Sequence, residues 1–220
     1  VVENKAGFSG TLAAQQVRRA QPDGYSLLMT PATTYSLSQK LMGVQTVGYD
    51  LVKDFDAITV VGEIPLVLLA NSSLSAQNFA DLKKKIPNGK QAAYGSSGTG
   101  SIEHVAMEML RLKTGLNLIH VPYKGSSPAM ADLLGGQIDL AFATAPTALV
   151  NLASGRVTAA GVSMPQRSGV LPQVPTFKEQ GVDLSASTLF MVLAPKGLPA
   201  DRLNKLNKAL SEILATPEVV

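Results

Sequence analysis

Cysteine is absent from this 220-residue sequence. Its absence excludes disulfide bridges, thiolate metal sites and cysteine nucleophiles. Long apolar runs are absent as well: the longest stretch without a polar side chain, Ile64–Ala70, is far shorter than the ~20 residues that span a bilayer. The sequence therefore predicts no disulfide framework and no membrane-spanning helix.

Charged and aromatic residues are scarce, at 16% and 5% of the chain. The 19 Lys and Arg against 16 Asp and Glu leave a net charge of +3. The longest basic run is Lys83–Lys85, which we expect to face solvent on a helix. Weak, dispersed charge with few aromatics is not typical of proteins that bind nucleic acid or membrane surfaces, so we predict neither partner.

Short apolar or β-branched runs alternate with segments whose apolar residues recur three and four positions apart, which predicts strands separated by helices. This pattern indicates an α/β fold with mostly parallel sheets and flanking helices. The predicted helices bury four apolar sets, namely Leu12, Ala13, Val17 and Ala20; Phe79, Leu82 and Ile86; Val105, Met109 and Leu112; and Leu203, Leu206, Leu210 and Ile213. The predicted strands are 25–29, 57–61, 65–70, 91–94, 117–121, 138–143, 157–162 and 188–194.

Two stretches rich in turn residues, 71–78 and 164–177, bracket a block with its own alternation of strands and helices. This block is typical of a domain inserted into another. The first residues, "VVENKAG", have the pattern of a strand already under way, and the chain stops just after a predicted helix. We therefore interpret it as incomplete at both ends.

The segment "YGSSGTGSIEH" contains an unbroken run of Gly, Ser and Thr from Gly95 to Ser101. It lies between the strand 91–94 and a helix predicted over 101–113, where open α/β sheets bind ligands. The first amides of a helix lack intrahelical partners and carry a partial positive charge, so a carboxylate or phosphate would fit. The candidate ligand residues of this loop are Ser96, Ser97, Gly98, Thr99, Gly100 and Ser101.

Named motifs do not fit this loop. A P-loop requires Lys after its last Gly, but Ser101 and Ile102 follow Gly100; a dinucleotide fingerprint requires Gly where Glu103 stands. A nucleophile elbow requires Gly where Thr99 stands. A helix cap without any ligand is the remaining structural alternative, and no cofactor is predicted.

The two histidines lie near predicted ligand segments but not at metal-ligand spacing. His104 falls in the first helical turn after the loop and is a candidate donor to an anion. His120 stands at a strand end, where a structural role is the simpler interpretation. No carboxylate accompanies either residue at ligand spacing, so no metal site is predicted, and no local spacing supports a Ser-His-Asp triad.

Other predicted strand ends also carry polar residues. "VPYKGSS" places Tyr123 and Lys124 before a helix, and "TPATTY" places Thr30, Thr33 and Thr34 after a strand. Hydroxyl-rich strand ends without paired carboxylates are typical of ligand binding without covalent chemistry.

Together these segments resemble the periplasmic solute receptors of tripartite tricarboxylate transporters, the Bug (TctC-like) family. The resemblance covers essentially the whole chain. It rests on "VVENKAGFSGTLAAQQVRRAQPDGYSLLM", "YDLVKDFDAITVVG", "YGSSGTGSIEHVAMEML", "HVPYKGSSPAMADLLGGQIDLAF", "LPQVPTFKEQGV" and "LAPKGLPADRLNKLNKAL".

The resemblance implies a two-lobed periplasmic binding protein of type II, a "Venus flytrap", with crossover hinge strands near 66–70 and 187–193. Lobe one would comprise 1–70 and 187–220, without its first strand, and lobe two would comprise 71–186. A ligand carboxylate would be held by Ser96, Gly98, Thr99, Ser101 and His104, faced by Thr30 and Thr33, with Ala143, Thr144 and Ala145 lining the same cleft.

The sequence departs from the family pattern after Phe142. Family members commonly carry a polar pair there, whereas this chain has Ala143 and Thr144. This departure favours a plain carboxylate, an aromatic acid or a dicarboxylate over a ligand with an amino group.

We therefore expect a non-catalytic periplasmic receptor for a small carboxylate, exported by a signal peptide outside this sequence. It would act as a monomer and present its ligand to membrane transporter subunits or a sensor protein. Two alternatives stay open: a ligand-sensing regulatory domain, and an acyl- or phosphoryl-transfer enzyme that uses 95–101 as an anion hole.

Overall fold

The computed structural model describes residues 1–5, 7, 10–86 and 91–216. It divides into two compact units, Val1–Glu63 with Leu189–Val220, and Ile64–Thr188; we call them unit 1 and unit 2. The domain bounds inferred from the sequence, 1–70 with 187–220 and 71–186, stay a prediction. Residues 1–5, which resemble a strand in sequence, form neither helix nor strand, and the last four residues lie outside the described ranges.

Unit 1 is built around strands that the chain contributes from both of its parts. Strand β1 pairs antiparallel with β7, and β7 lies beside β2. Alternate residues of β7 enter two different cores, Leu193 with the helices near the amino end and Val192 with the last helix. The elements of this unit are α1 (Thr11–Arg18), β1 (Leu28–Pro31), α2 (Ala32–Met42), α3 (Val44–Val47), the first part of β2 (Phe55–Asn71), most of β7 (Ser187–Pro195) and α8 (Ala200–Leu214).

Unit 2 is a sheet in the order β6-β2-β5-β3-β4 with helices between its strands. Strand β3 pairs parallel with β4 and β5, whereas β2 pairs antiparallel with β5 and β6. Its elements are the rest of β2, a 3-10 turn (Ser72–Leu74), α4 (Phe79–Lys85), β3 (Ala92–Ser96), α5 (Ile102–Thr114), β4 (Leu118–Pro122), α6 (Ser126–Gly135), β5 (Leu140–Thr144), α7 (Ala145–Leu152) and β6 (Val157–Val162).

The expectation of mostly parallel sheets holds only for the strands joined by crossover helices. Strand β2 enters unit 2 directly from unit 1, so no crossover helix sets its direction, and both of its printed pairings are antiparallel. The α/β class with flanking helices is confirmed, and the sheet is mixed.

The strands predicted at 57–61 and 65–70 are one continuous strand of 17 residues, β2. Gly62, between the two predicted strands, and Pro65, at the start of the second, both favour an interruption, but the extended backbone of β2 includes both. Pro65 has no amide to donate, and the pairing of β2 with β5 begins just after it, at Leu66.

Helix α5 packs with a different face from the one predicted. The structure buries Ile102, Ala106, Met107 and Leu110, whereas Leu112 is 75% exposed. Apolar residues occur on several sides of this helix, so periodicity alone does not select the buried face. The prediction for α4 is confirmed, since Phe79, Leu82 and Ile86 are buried and the three lysines of 83–85 are exposed in its last turn. The sets predicted for α1 and α8 are only partly buried: Leu12 is 49% exposed and Ile213 is 54% exposed, because both helices lie at the surface of the protein.

Ser163 is a fully buried polar residue at the end of β6. Its hydroxyl donates to the carbonyl of Leu66 at 2.9 Å, accepts from the Leu66 amide at 3.2 Å, and also contacts the carbonyl of Ala186. It therefore links β2, β6 and the segment that leads into β7.

We expect Ser163→Ala to lower the free energy of unfolding by about 1–3 kcal/mol, because it leaves buried backbone groups without their hydroxyl partner. Urea denaturation followed by circular dichroism measures this change. Ser211→Ala, on the exposed face of α8, is the matched control; equal stability of the two variants would contradict the role assigned to Ser163.

Candidate functional site

The Gly/Ser loop lies at the carboxyl end of β3 and leads into α5. Gly98 and Gly100 adopt positive φ angles of 141° and 84°, a backbone region that side chains disfavour. Ser101 caps α5, since its hydroxyl accepts from the His104 amide at 3.3 Å. Thr99 is exposed at the tip of the loop. The loop therefore has a defined fold of its own.

The hydroxyl of Ser96 holds this loop together from inside, and the residue is only 2% exposed. Its oxygen accepts from the Gly98 amide at 3.2 Å, and its O–H group has the Gly98 carbonyl as an acceptor at 3.1 Å. It also lies 2.7 Å from Nε2 of His120. Ser96 and His120 are therefore joined by one hydrogen bond, and the tautomer of the imidazole sets which of the two donates.

His120 lies between two other rings in a stack. Its ring centroid is 4.0 Å from that of His104 and 4.9 Å from that of Tyr94, with interplanar angles of 15° and 21°. Nδ1 of His104 accepts from the Gly100 amide at 3.2 Å and so carries no proton there. The two histidines, far apart in sequence, thus support the loop jointly.

The electrostatics of the stack favour neutral rings. Burial lowers the pKa of His120 to about 4, with a further lowering by His104. Burial also lowers the pKa of His104, against an opposing effect of Glu108. Tyr94 donates to Glu108 at 2.7 Å, and Arg111 pairs with the same carboxylate at 2.8 Å.

A small recess with a volume of about 50 Å³ opens beside the loop within unit 2. A water molecule needs about 10–15 Å³ of such a cavity, so the recess has room for a carboxylate with a small neighbouring substituent. It lies where β3 and β5 end and where α5, α6 and α7 begin. Its lining is Gly95, Ser96, Ser97, Glu103, Ser126, Ala129, Met130, Ala141, Phe142, Ala143, Thr144 and Thr147.

Two of these helices begin at the recess without a side-chain cap. α6 follows Gly125 and α7 follows Thr144, and neither residue caps its helix through a side chain. The turn before α6 is fixed to the loop, because the Tyr123 amide donates to the Ser96 carbonyl at 3.0 Å and the Gly125 amide donates to the Ser97 carbonyl at 3.2 Å. Helix N-termini favour negative charge, so this arrangement suits an anion.

The structure brings Ser96, Ser97 and Thr144 of the predicted site to the recess. The hydroxyl of Thr144 lies 3.0 Å from that of Thr147. Gly98, Thr99, Gly100, Ser101 and His104 belong to the loop and the first turn of α5 but do not line the recess, nor do Tyr123 and Ala145.

Tyr123 and Ala145 both make contacts within unit 2. The hydroxyl of Tyr123 donates to Asp132 of α6 at 2.6 Å. Burial, together with this hydrogen bond, raises the pKa of Tyr123 to about 12. Ala145 is 2% exposed and packs in the core of unit 2.

Thr30 and Thr33 belong to unit 1. Thr30 lies in β1 with its side chain completely buried. The hydroxyl of Thr33 accepts from the Leu189 amide at 3.0 Å. Their assignment as ligand residues stays a prediction, as does the whole predicted set.

Sequence reasoning missed Glu103, Ser126 and Thr147 as lining residues. A local signal existed for two of them, because Ser126 and Thr147 each fall in the first turn of a helix that follows a strand end. Among the described residues, no three potential metal-ligating side chains come together, and none of the described helices has the length and apolar character of a bilayer-spanning segment.

The chain is similar in sequence to a family of transporter receptors. The family described as "Tripartite tricarboxylate transporter family receptor" matches residues 1–220. The chain is 33% identical to Protein BugT of Bordetella pertussis over its whole length and 68% of that protein. It is 35% identical to a protein encoded in an intergenic region of Agrobacterium vitis, of which it spans 63%.

Solved structures of similar fold include two with bound ligands. An R. palustris protein with adipate is 30% identical, with a TM-score of 0.88 over all of this chain and 73% of that one. MatC from Rhodopseudomonas palustris, with bound malate, is 28% identical, with a TM-score of 0.87 over all of this chain and 74% of that one. Two other neighbours are described as a periplasmic transporter and as the periplasmic binding protein BugD, with TM-scores of 0.90 and 0.89, which confirms the predicted fold class.

We expect the histidine stack to make stability depend on pH. Between the ordinary histidine pKa of about 6.5 and about 4, the unfolded chain binds a proton that folded His120 does not. The free energy of unfolding therefore falls as the pH is lowered through this window. Urea denaturation at successive pH values measures this effect.

The variant His120→Gln isolates this contribution, because it removes the titrating group and keeps an amide near Ser96. The difference in stability between wild type and variant should shrink or change sign as the pH falls from 7 to 4. Parallel stability curves for the two proteins would contradict the assignment.

Proposed function

Since the chain belongs to the family of tripartite tricarboxylate transporter receptors, we propose that it is a non-catalytic receptor that captures a small carboxylate. We further propose that it works in the periplasm after export and presents its ligand to transporter subunits. It would do so as a monomer. The chain spans about two thirds of the length of its relatives, so these roles concern the whole protein.

The observation that carries this proposal is the similarity, over the whole of this chain, to two proteins solved with adipate and with malate. Both ligands are small dicarboxylates. The recess of unit 2 supports the same conclusion, because the N-termini of α6 and α7 meet there with the hydroxyls of Ser126, Thr144 and Thr147. Hydroxyls and helix amides are suitable donors to a carboxylate.

The enzyme alternative gains little from the contact between Ser96 and His120. Ser96 is 2% exposed, and its hydroxyl bonds to the amide and the carbonyl of Gly98. With a pKa of about 4, His120 is a weak base near neutral pH. A nucleophile needs an accessible oxygen and a base matched to the working pH. The pair therefore fits a structural role.

A thermal-shift and calorimetry screen of mono-, di- and tricarboxylates tests the function. We expect at least one carboxylate to raise the unfolding temperature and to bind without turnover, because a ligand that binds only the folded state stabilises it. The screen uses a protein that also carries the segments by which the relatives are longer than this chain. If that protein bound no carboxylate, or if it converted the bound compound, the proposal would be contradicted.

We expect Thr144→Val to weaken carboxylate binding by about 1–3 kcal/mol, because it removes a hydroxyl that donates to a charged group while keeping the shape of the side chain. Isothermal titration calorimetry measures this loss. Thr158→Val is the matched control, since the Thr158 hydroxyl is buried without a hydrogen-bond partner among the described residues. Unchanged affinity in Thr144→Val would remove Thr144 from the site.

Ser101→Ala is a poor test of ligand contact in this protein. Ser101 is fully buried and caps α5, and losing such a cap costs about 0.5–2 kcal/mol of stability. A weaker affinity in that variant would report on the loop rather than on a lost ligand contact.

A further inference from the structure

Glu103 introduces a negative charge into a recess that otherwise suits an anion. It lies in the first turn of α5 and lines the recess. The hydroxyl of Ser97 donates to Oε2 of Glu103 at 2.9 Å, which fixes the carboxylate against the loop. The position of this side chain is thus set by the same loop that ends β3.

The charge of Glu103 is not neutralised by a nearby cation. No Lys or Arg lines the recess, and among the described residues none lies within 4.0 Å of this carboxylate. A carboxylate offers about four acceptor positions, and Ser97 fills one of them. A strong acceptor therefore remains beside the recess.

The recess has one side that attracts negative charge, at the N-termini of α6 and α7, and one side that repels it, at Glu103. The N-termini of α6 and α7 attract a carboxylate, whereas Glu103 repels a second negative group and accepts a hydrogen bond. A volume of about 50 Å³ leaves room for a small substituent rather than for a second carboxylate. A group that donates a hydrogen bond next to the ligand carboxylate would satisfy both sides.

We propose that Glu103 makes the recess selective for carboxylates that carry a hydroxyl or an ammonium group on the neighbouring carbon. This proposal rests on the proposed function as a carboxylate receptor. The residues after Phe142 provide no polar pair that could accept from an amino group. Glu103 would provide such an acceptor from a different element, α5.

Calorimetry with three ligand series tests the proposal: propionate, lactate and alanine; succinate, malate and aspartate; and adipate with 2-aminoadipate. In at least one series, the wild type should bind a substituted acid at least about tenfold more tightly than the unsubstituted acid, as expected for a lost hydrogen bond to a charged group. Glu103→Gln keeps the shape but removes the charge, and should reduce this ratio. Glu103→Leu removes the acceptor and should abolish it.

Glu212→Gln, on the exposed face of α8, is the matched control and should keep the wild-type ratio. Equal affinity of the wild type for substituted and unsubstituted acids would overturn the role of Glu103 but leave the receptor function intact. If Glu103→Leu kept the wild-type ratio of affinities, the role of Glu103 would likewise be overturned and the receptor function would stay intact. Failure of every acid to bind would instead contradict the proposed function. The wild-type measurements do not depend on whether a variant folds.

Discussion

The fold of unit 2 depends on the burial and the pairing of the second half of β2. Residues Leu66–Ala70 are completely buried, and they pair with β5 on one side and β6 on the other. Each large aliphatic side chain buried there contributes about 1.5–3 kcal/mol. The antiparallel register sets Thr144 opposite Leu66, so the strand that forms the core also determines where β5 ends and where the recess opens.

Two hydroxyls of the loop after β3 stabilise the loop itself. Ser96 and Ser101 are both buried, and their oxygens bond to the loop and to the first turn of α5. The stacked rings of His104 and His120 pack against the loop, and burial favours the neutral form of both. In His104 the Nδ1 atom accepts from the Gly100 amide. A loop held in this way is preorganised, which reduces the entropy that a ligand must overcome.

The sequence predicted the α/β class, most element positions and the loop, because these depend on local patterns. Three features needed tertiary information. The contact between Ser96 and His120 depends on the parallel register of β3 and β4, in which Tyr94 lies opposite His120. The buried face of α5 depends on what packs against it. In the sequence, Glu103 is an ordinary acidic residue of a first helical turn. Its place in the recess follows only from the tertiary structure, which brings the ends of β3 and β5 next to it.

The net charge of the chain does not describe the charge at the recess. The net charge of +3 comes from exposed residues such as Lys83–Lys85, which solvent and salt screen. At the recess, helix N-termini replace basic side chains as the source of positive potential, and Glu103 is the single formal charge among the lining residues. Dipoles and hydroxyls act only over short distances and in fixed directions. Under the proposed function, discrimination between carboxylates would depend on where each ligand donates and accepts hydrogen bonds, because no Lys or Arg lines the recess.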